Sequence, residues 1–91
     1  MDFEWDSDKA RLNLKKHCIT FEEAATVFAD PLSMTFPDPD HSHGEDRFVL
    51  IGKSFEGNIL VIAHTERGKK IRIINARKAT RKERKYYEEE N

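Results

Sequence analysis

Three apolar runs in the second half of the chain, Arg47–Gly52, Ile59–Thr65 and Ile71–Ala76, are joined by very short connections. Phe55-Glu56-Gly57-Asn58 turns between the first two, and a turn at Arg67-Gly68 separates the last two. A parallel neighbour needs a crossover of about a dozen residues or more, so these runs can pair only as antiparallel strands. Phe48-Val49-Leu50-Ile51 and Ile59-Leu60-Val61-Ile62 are apolar at both parities, which requires cover on part of both sheet faces. Ser33-Met34-Thr35-Phe36 alternates and supplies a fourth strand; Pro37–Asp46 between it and the next run reads as a polar loop.

Helix signals flank this meander. Asp6 or Ser7 can cap a first helix that ends near Lys16-His17, with acids early and bases late, as the helix dipole prefers. Thr20 with Glu23 has capping-box spacing, and Phe21, Ala24, Ala25, Val27 and Phe28 form the apolar stripe of a second helix that stops before Pro31. Thr80 with Glu83 repeats the spacing at the start of a third helix, Thr80–Glu90. Helices grouped apart from consecutive strands predict an α+β fold: two N-terminal helices, a four-stranded antiparallel sheet and a C-terminal helix. The length of 91 residues fits one domain, 1–91.

Charged residues are 36% of the chain and apolar residues 37%, a balance compatible with folding because the apolar residues are clustered in periodic runs. The formal net charge of −1 hides a division. Residues 1–66 hold six basic and thirteen acidic side chains, while residues 67–91 hold ten basic and four acidic. A polyanion or an acidic partner is the natural counterpart of the basic third. The single cysteine, Cys18, cannot form an internal disulfide, and no apolar run is long enough to span a bilayer. Nothing at the N-terminus reads as a signal peptide, so a cytoplasmic location and no membrane partner are expected.

Several ordered motifs resemble a known family. They are Phe3-Glu4-Trp5-Asp6, Lys9, Asn13, Lys16-His17, Thr20-Phe21-Glu22-Glu23-Ala24 and Phe28-Ala29-Asp30-Pro31 at the start. Asp40-His41-Ser42 and Glu45-Asp46-Arg47 follow, then Ile71 through Thr80, Glu83 and Tyr86-Tyr87. Together they resemble the BrnT family of toxins from type II toxin–antitoxin systems over almost the whole chain; Asn75 stands where that family usually has Ser. The resemblance implies a RelE-like fold and an endoribonuclease that cleaves RNA and inhibits translation. It also implies a cognate antitoxin with a ribbon-helix-helix DNA-binding part, through which alone operator DNA would be reached.

A ribonuclease of this kind needs no cofactor. The RNA's own 2′-hydroxyl attacks, and the protein supplies a base, an acid and positive charge for the phosphorane. By residue type the catalytic candidates are His64 and Glu83 for proton transfer, with Arg72 and Arg77 as phosphate clamps. Arg47, Lys78, Arg81, Lys82, Arg84 and Lys85 are the expected nucleic-acid contacts. A three-residue turn would set His64 opposite Arg72 on one face, whereas a two-residue turn would put them on opposite faces; the sequence leaves both open. Plainer roles compete: Arg72 as the solvent-facing member of an alternating strand, Glu83 as a capping acceptor, the basic run as a solvated helix face. Asp38, Asp40, His41 and His43 lack a second ligand group at a recognised spacing, so no metal site is expected. The alternative to an enzyme is a non-catalytic module that binds nucleic acid or antitoxin and acts as an operon co-repressor.

Overall fold

Three residues at the start of the chain, Asp2–Glu4, form a strand (β1) that the sequence did not announce. The computed structural model describes all 91 residues. After β1 come helices α1 (Ser7–His17) and α2 (Phe21–Thr26), then strand β2 (Met34–Pro37). Strands β3 (Arg47–Lys53), β4 (Ile59–Arg67) and β5 (Lys70–Lys78) follow, and helix α3 (Arg81–Glu90) ends the chain.

The sheet has five strands in the order β1-β5-β4-β3-β2, not four. The expected meander of β2 to β5 is antiparallel, but β1 pairs parallel with β5, so the sheet is mixed. Phe3 is the only apolar residue of β1, and one apolar residue cannot display a period of two. Its partner lies far along the chain, where no local turn could reveal the pairing. The second helix is also shorter than its stripe: α2 stops at Thr26, and a 3₁₀ turn, Val27–Ala29, carries Val27 and Phe28 onto the sheet.

Helix ends follow local chemistry. The Asp6 carboxylate accepts from the Lys9 N–H at 3.0 Å, and Cys18 closes α1 in the left-handed conformation at φ 60°. Thr80 and Glu83 form a complete capping box at α3. At α2 only half of the box exists. Thr20 accepts from the Glu23 N–H, but the Glu23 carboxylate turns away and accepts from Ser54 Oγ at 2.7 Å and Asn58 Nδ2 at 2.8 Å. It fastens the β3–β4 turn instead.

One sheet face packs on α1 and α2. Ile19, Phe21, Ala24 and Val27 meet Leu50, Leu60, Ile62, Ile73 and Ala76 there. On the other face α3 sets Tyr87 against Ile51 and Val61. Tyr87 donates its hydroxyl to Asp30 at 2.6 Å, and burial together with this bond pushes its pKa up to about 12. α3 packs on the part of that face near Ile51 and Val61.

α1 runs along the edge of β5 beyond the reach of β1. Buried Asn13 makes the junction. Its amide nitrogen donates to Ala76 O at 2.8 Å and Ile19 O at 3.0 Å, and its oxygen accepts from Ala76 N–H at 3.0 Å. One side chain thus does for Ala76 what an edge strand would do.

Candidate active site

On the face that carries Ile51 and Val61, register aligns four side chains in a row at the end away from them. Arg47 of β3 lies opposite Thr65 of β4, Thr65 opposite Arg72 of β5, and Arg72 opposite Glu4 of β1. Directly opposed residues project to one face. Arg47, Thr65 and Arg72 of this row floor a cleft of about 460 Å³. Lys9 and Asp6 from the start of α1 form one wall, and His41, His43 and Glu45 from the β2–β3 connection form the other.

That connection is ordered by its own polar groups. Pro39–His41 form a 3₁₀ turn. Ser42 Oγ donates to Asp38 O at 2.8 Å and accepts from Arg47 N–H at 3.0 Å. Asp38 N–H donates to Arg47 O at 2.9 Å. The Asp38 carboxylate meets His41 Nδ1 at 3.0 and 3.1 Å, which fixes the ring and leaves Nε2 as its outward nitrogen. No three His, Cys, Asp or Glu side chains are arranged to hold a metal ion.

The cleft holds both signs of charge. Arg72 Nε pairs with Glu4 at 3.2 Å, so the ion pair uses the inner nitrogen of the guanidinium and leaves the terminal pair for a ligand. Arg67 bridges Glu45 at 3.3 Å and Glu4 at 3.7 Å. Two buried polar atoms in the row have no partner, Arg47 Nε and Thr65 Oγ1. Thr65 is only 2% exposed. The Arg47 and Thr65 side chains line the cleft, but these two atoms are themselves shielded, so an outside acceptor meets them only after a side-chain shift.

The other expected site residues fall elsewhere. The β4–β5 turn has two residues, Gly68 and Lys69, with Gly68 at φ +61°. His64 therefore pairs with Ile73, and Thr65 takes the place opposite Arg72. His64 lies in the core on the helical face, edge-on to Phe28 with centroids 4.9 Å apart and stacked by Phe48 at 5.8 Å. Both ring nitrogens lack partners, and burial lowers the His64 pKa against a weaker opposing pull from Glu66. A folded pKa below the ordinary 6.5 means that the unfolded chain takes up the proton first, so stability falls as pH drops through this value. The urea midpoint should decline between about pH 7.5 and about pH 5, and decline less in His64→Leu; equal declines in both would contradict this.

Arg77 reaches the same face as Arg72 because of a β-bulge. Ala63 pairs with Asn75 while the next residue, His64, pairs with Ile73, so Ile74 is the extra residue. Strict alternation would put positions 72 and 77 on opposite faces; one extra residue restores them to one. Arg77 is nevertheless committed, donating to Glu83 through two nitrogens at 2.7 and 3.0 Å. This bond holds the Glu83 pKa down to about 2 and raises that of Arg77. Lys78 and Arg84 line a separate cleft of about 400 Å³ with Lys53, Asn58 and Glu88. Arg81, Lys82 and Lys85 lie exposed on α3.

Glu4 and Lys9 entered the sequence reading only through the family-like motifs, and His43 only as a metal ligand that was set aside. His41, Glu45 and Arg47 carried a usable signal, since Asp40-His41-Ser42 and Glu45-Asp46-Arg47 are among the family-like motifs. Thr65 carried none, because only the register reveals its neighbours.

Residues 5–83 match the family described as "Ribonuclease toxin, BrnT, of type II toxin-antitoxin system". This chain belongs to the BrnT family. The matched span contains every residue that lines the 460 Å³ cleft. Among solved structures, the chain is similar to the Brucella abortus ribonuclease toxin BrnT, known from a crystal structure at 1.1 Å resolution. The TM-score is 0.70 at 21% identity, covering 89% of this chain and 99% of that one, which establishes a shared BrnT fold. No curated protein matches the chain. No helix is long and apolar enough to cross a membrane.

Proposed function

We propose that this BrnT-family chain cleaves RNA in the cleft floored by Arg47, Thr65 and Arg72, and thereby inhibits translation. The observation that carries the reading is the gathering of two arginines, Arg47 and Arg72, with the Thr65 hydroxyl between them on the floor of one cleft. A phosphate supplies the acceptor oxygens that this row lacks, and arginine is suited to hold them in pairs.

The 2′-hydroxyl attacks the adjacent phosphorus and loses its proton to a base, as the bond from phosphorus to the 5′-oxygen breaks. Negative charge grows on the non-bridging oxygens, where Arg47, Arg72 and the Thr65 hydroxyl stabilise it. The leaving 5′-oxygen takes up a proton, giving a 2′,3′-cyclic phosphate and a free 5′-hydroxyl. His41, oriented by Asp38, is the proton-transfer group whose position fits. His64 is on the other face, and the Glu83 carboxylate is occupied by Arg77 and Thr80. A cognate antitoxin would neutralise the toxin by covering this cleft.

The test is incubation of the purified chain with a short RNA in the presence of chelator. The expected products carry a cyclic phosphate, and a single deoxyribose on the 5′ side of the scissile phosphate should abolish the cut. Unchanged cleavage of that substituted substrate would refute in-line attack by the 2′-hydroxyl.

A further inference from the structure

A second groove, of about 350 Å³, adjoins the first and shares Lys9 and Ile74 with it. It runs between α1 and the far part of β5, past Leu12, Lys16, Asn75 and Arg77. Unlike the first cleft it has no acidic lining residue. Lys9 and Lys16 make no ion pair with any carboxylate of the protein. Leu12 is 62% exposed, an apolar surface at the rim of a basic groove.

The β-bulge explains why the groove exists. The extra residue turns Ile74 into the wall common to both clefts and brings Asn75 and Arg77 to the face that carries Arg72. Asn13, clamped on Ala76, holds α1 alongside at this level of β5. A strand with its phosphate on Arg72 meets a charged path past Lys9 in this direction. By contrast, the cleft of Lys78 and Arg84 shares no residue with the catalytic one and includes Glu88.

We propose that this groove is a subsite for the neighbouring nucleotide of the same RNA strand. Lys16 meets its phosphate, the Asn75 amide meets a base edge and Leu12 gives a base an apolar surface. The proposal rests on the first cleft being the RNA-cleaving site. It makes the toxin a reader of oligonucleotides rather than of single phosphodiester bonds.

The experiment measures binding of 2′-O-methyl RNA, which cannot be cut, as a dinucleotide and as a hexanucleotide. One phosphate contact to a single strand carries a salt slope of about 0.7, which is about fivefold in affinity at roughly 0.1 M salt. Lys16→Ala is expected to weaken the hexanucleotide about fivefold and lower its salt slope by about 0.7, without weakening the dinucleotide comparably. Arg11→Ala removes the same charge from the same helix but outside both grooves, so it serves as the control. Equal effects of Lys16→Ala and Arg11→Ala, or equal loss for both lengths, would overturn the subsite. Failure of the wild type to cut unmodified hexanucleotide would instead refute the catalytic reading, because the binding comparison needs no cleavage.

Discussion

Arg72→Ala is expected to slow single-turnover RNA cleavage at saturating substrate by about a hundredfold or more, the usual cost of one donor aimed at developing negative charge. Lys82→Ala, which removes an equal charge from the exposed face of α3, should leave that rate near wild type and affect RNA binding alone. The contrast separates chemistry from attraction, because only a group that binds the transition state better than the ground state changes the saturated rate. Arg72→Ala should still fold. The Arg72 side chain is 33% exposed, and its pair with Glu4 is of the partly solvated kind worth about 0–1 kcal/mol. Cleavage by Arg72→Ala at the wild-type rate would remove Arg72 from the catalytic step.

Asn13→Ala should lower stability by about 3 kcal/mol. It deletes three buried hydrogen bonds at once and leaves the Ala76 N–H, the Ala76 carbonyl and the Ile19 carbonyl without this partner, at about 1–3 kcal/mol for each group that stays dry. Domains hold only about 0.05–0.15 kcal/mol per residue, so such a loss is a large share of the total. A lower urea midpoint with an unchanged slope is the expected signature; a loss under about 0.5 kcal/mol would show that the edge of β5 does not depend on this side chain. The substitution also loosens α1, which carries Lys9 and Lys16 to their grooves.

The meander was legible because β3, β4 and β5 each bury several apolar residues and are joined by tight turns. The caps of α1 and α3 were legible because their signals are local. What escaped was set at a distance. β1 has its partner at Lys70–Arg72, and half of the α2 capping box was diverted to Ser54 and Asn58. The site depended on two further non-local facts. The choice of a two-residue turn at Gly68-Lys69 sent His64 into the core and brought Thr65 beside Arg72. The bulge at Ile74 then reversed the parity of β5, so that Arg77 joined the face of Arg72 without joining its cleft. Hydrophobic periodicity assigns residues to faces only until one residue is inserted or one turn shortened, since either change shifts every later side chain.

The placement of the scissile phosphate on the Arg47–Thr65–Arg72 row can be measured through the guanidinium NMR signals of the arginines. Uncleavable 2′-O-methyl RNA is titrated into the protein, and the Nε–Hε resonances of all arginines are followed together. The Nε–Hε signals of Arg47 and Arg72 should shift most and saturate together, because both side chains line the cleft. Shifts confined to Arg81 and Arg84 on α3, with Arg47 and Arg72 unmoved, would contradict the site.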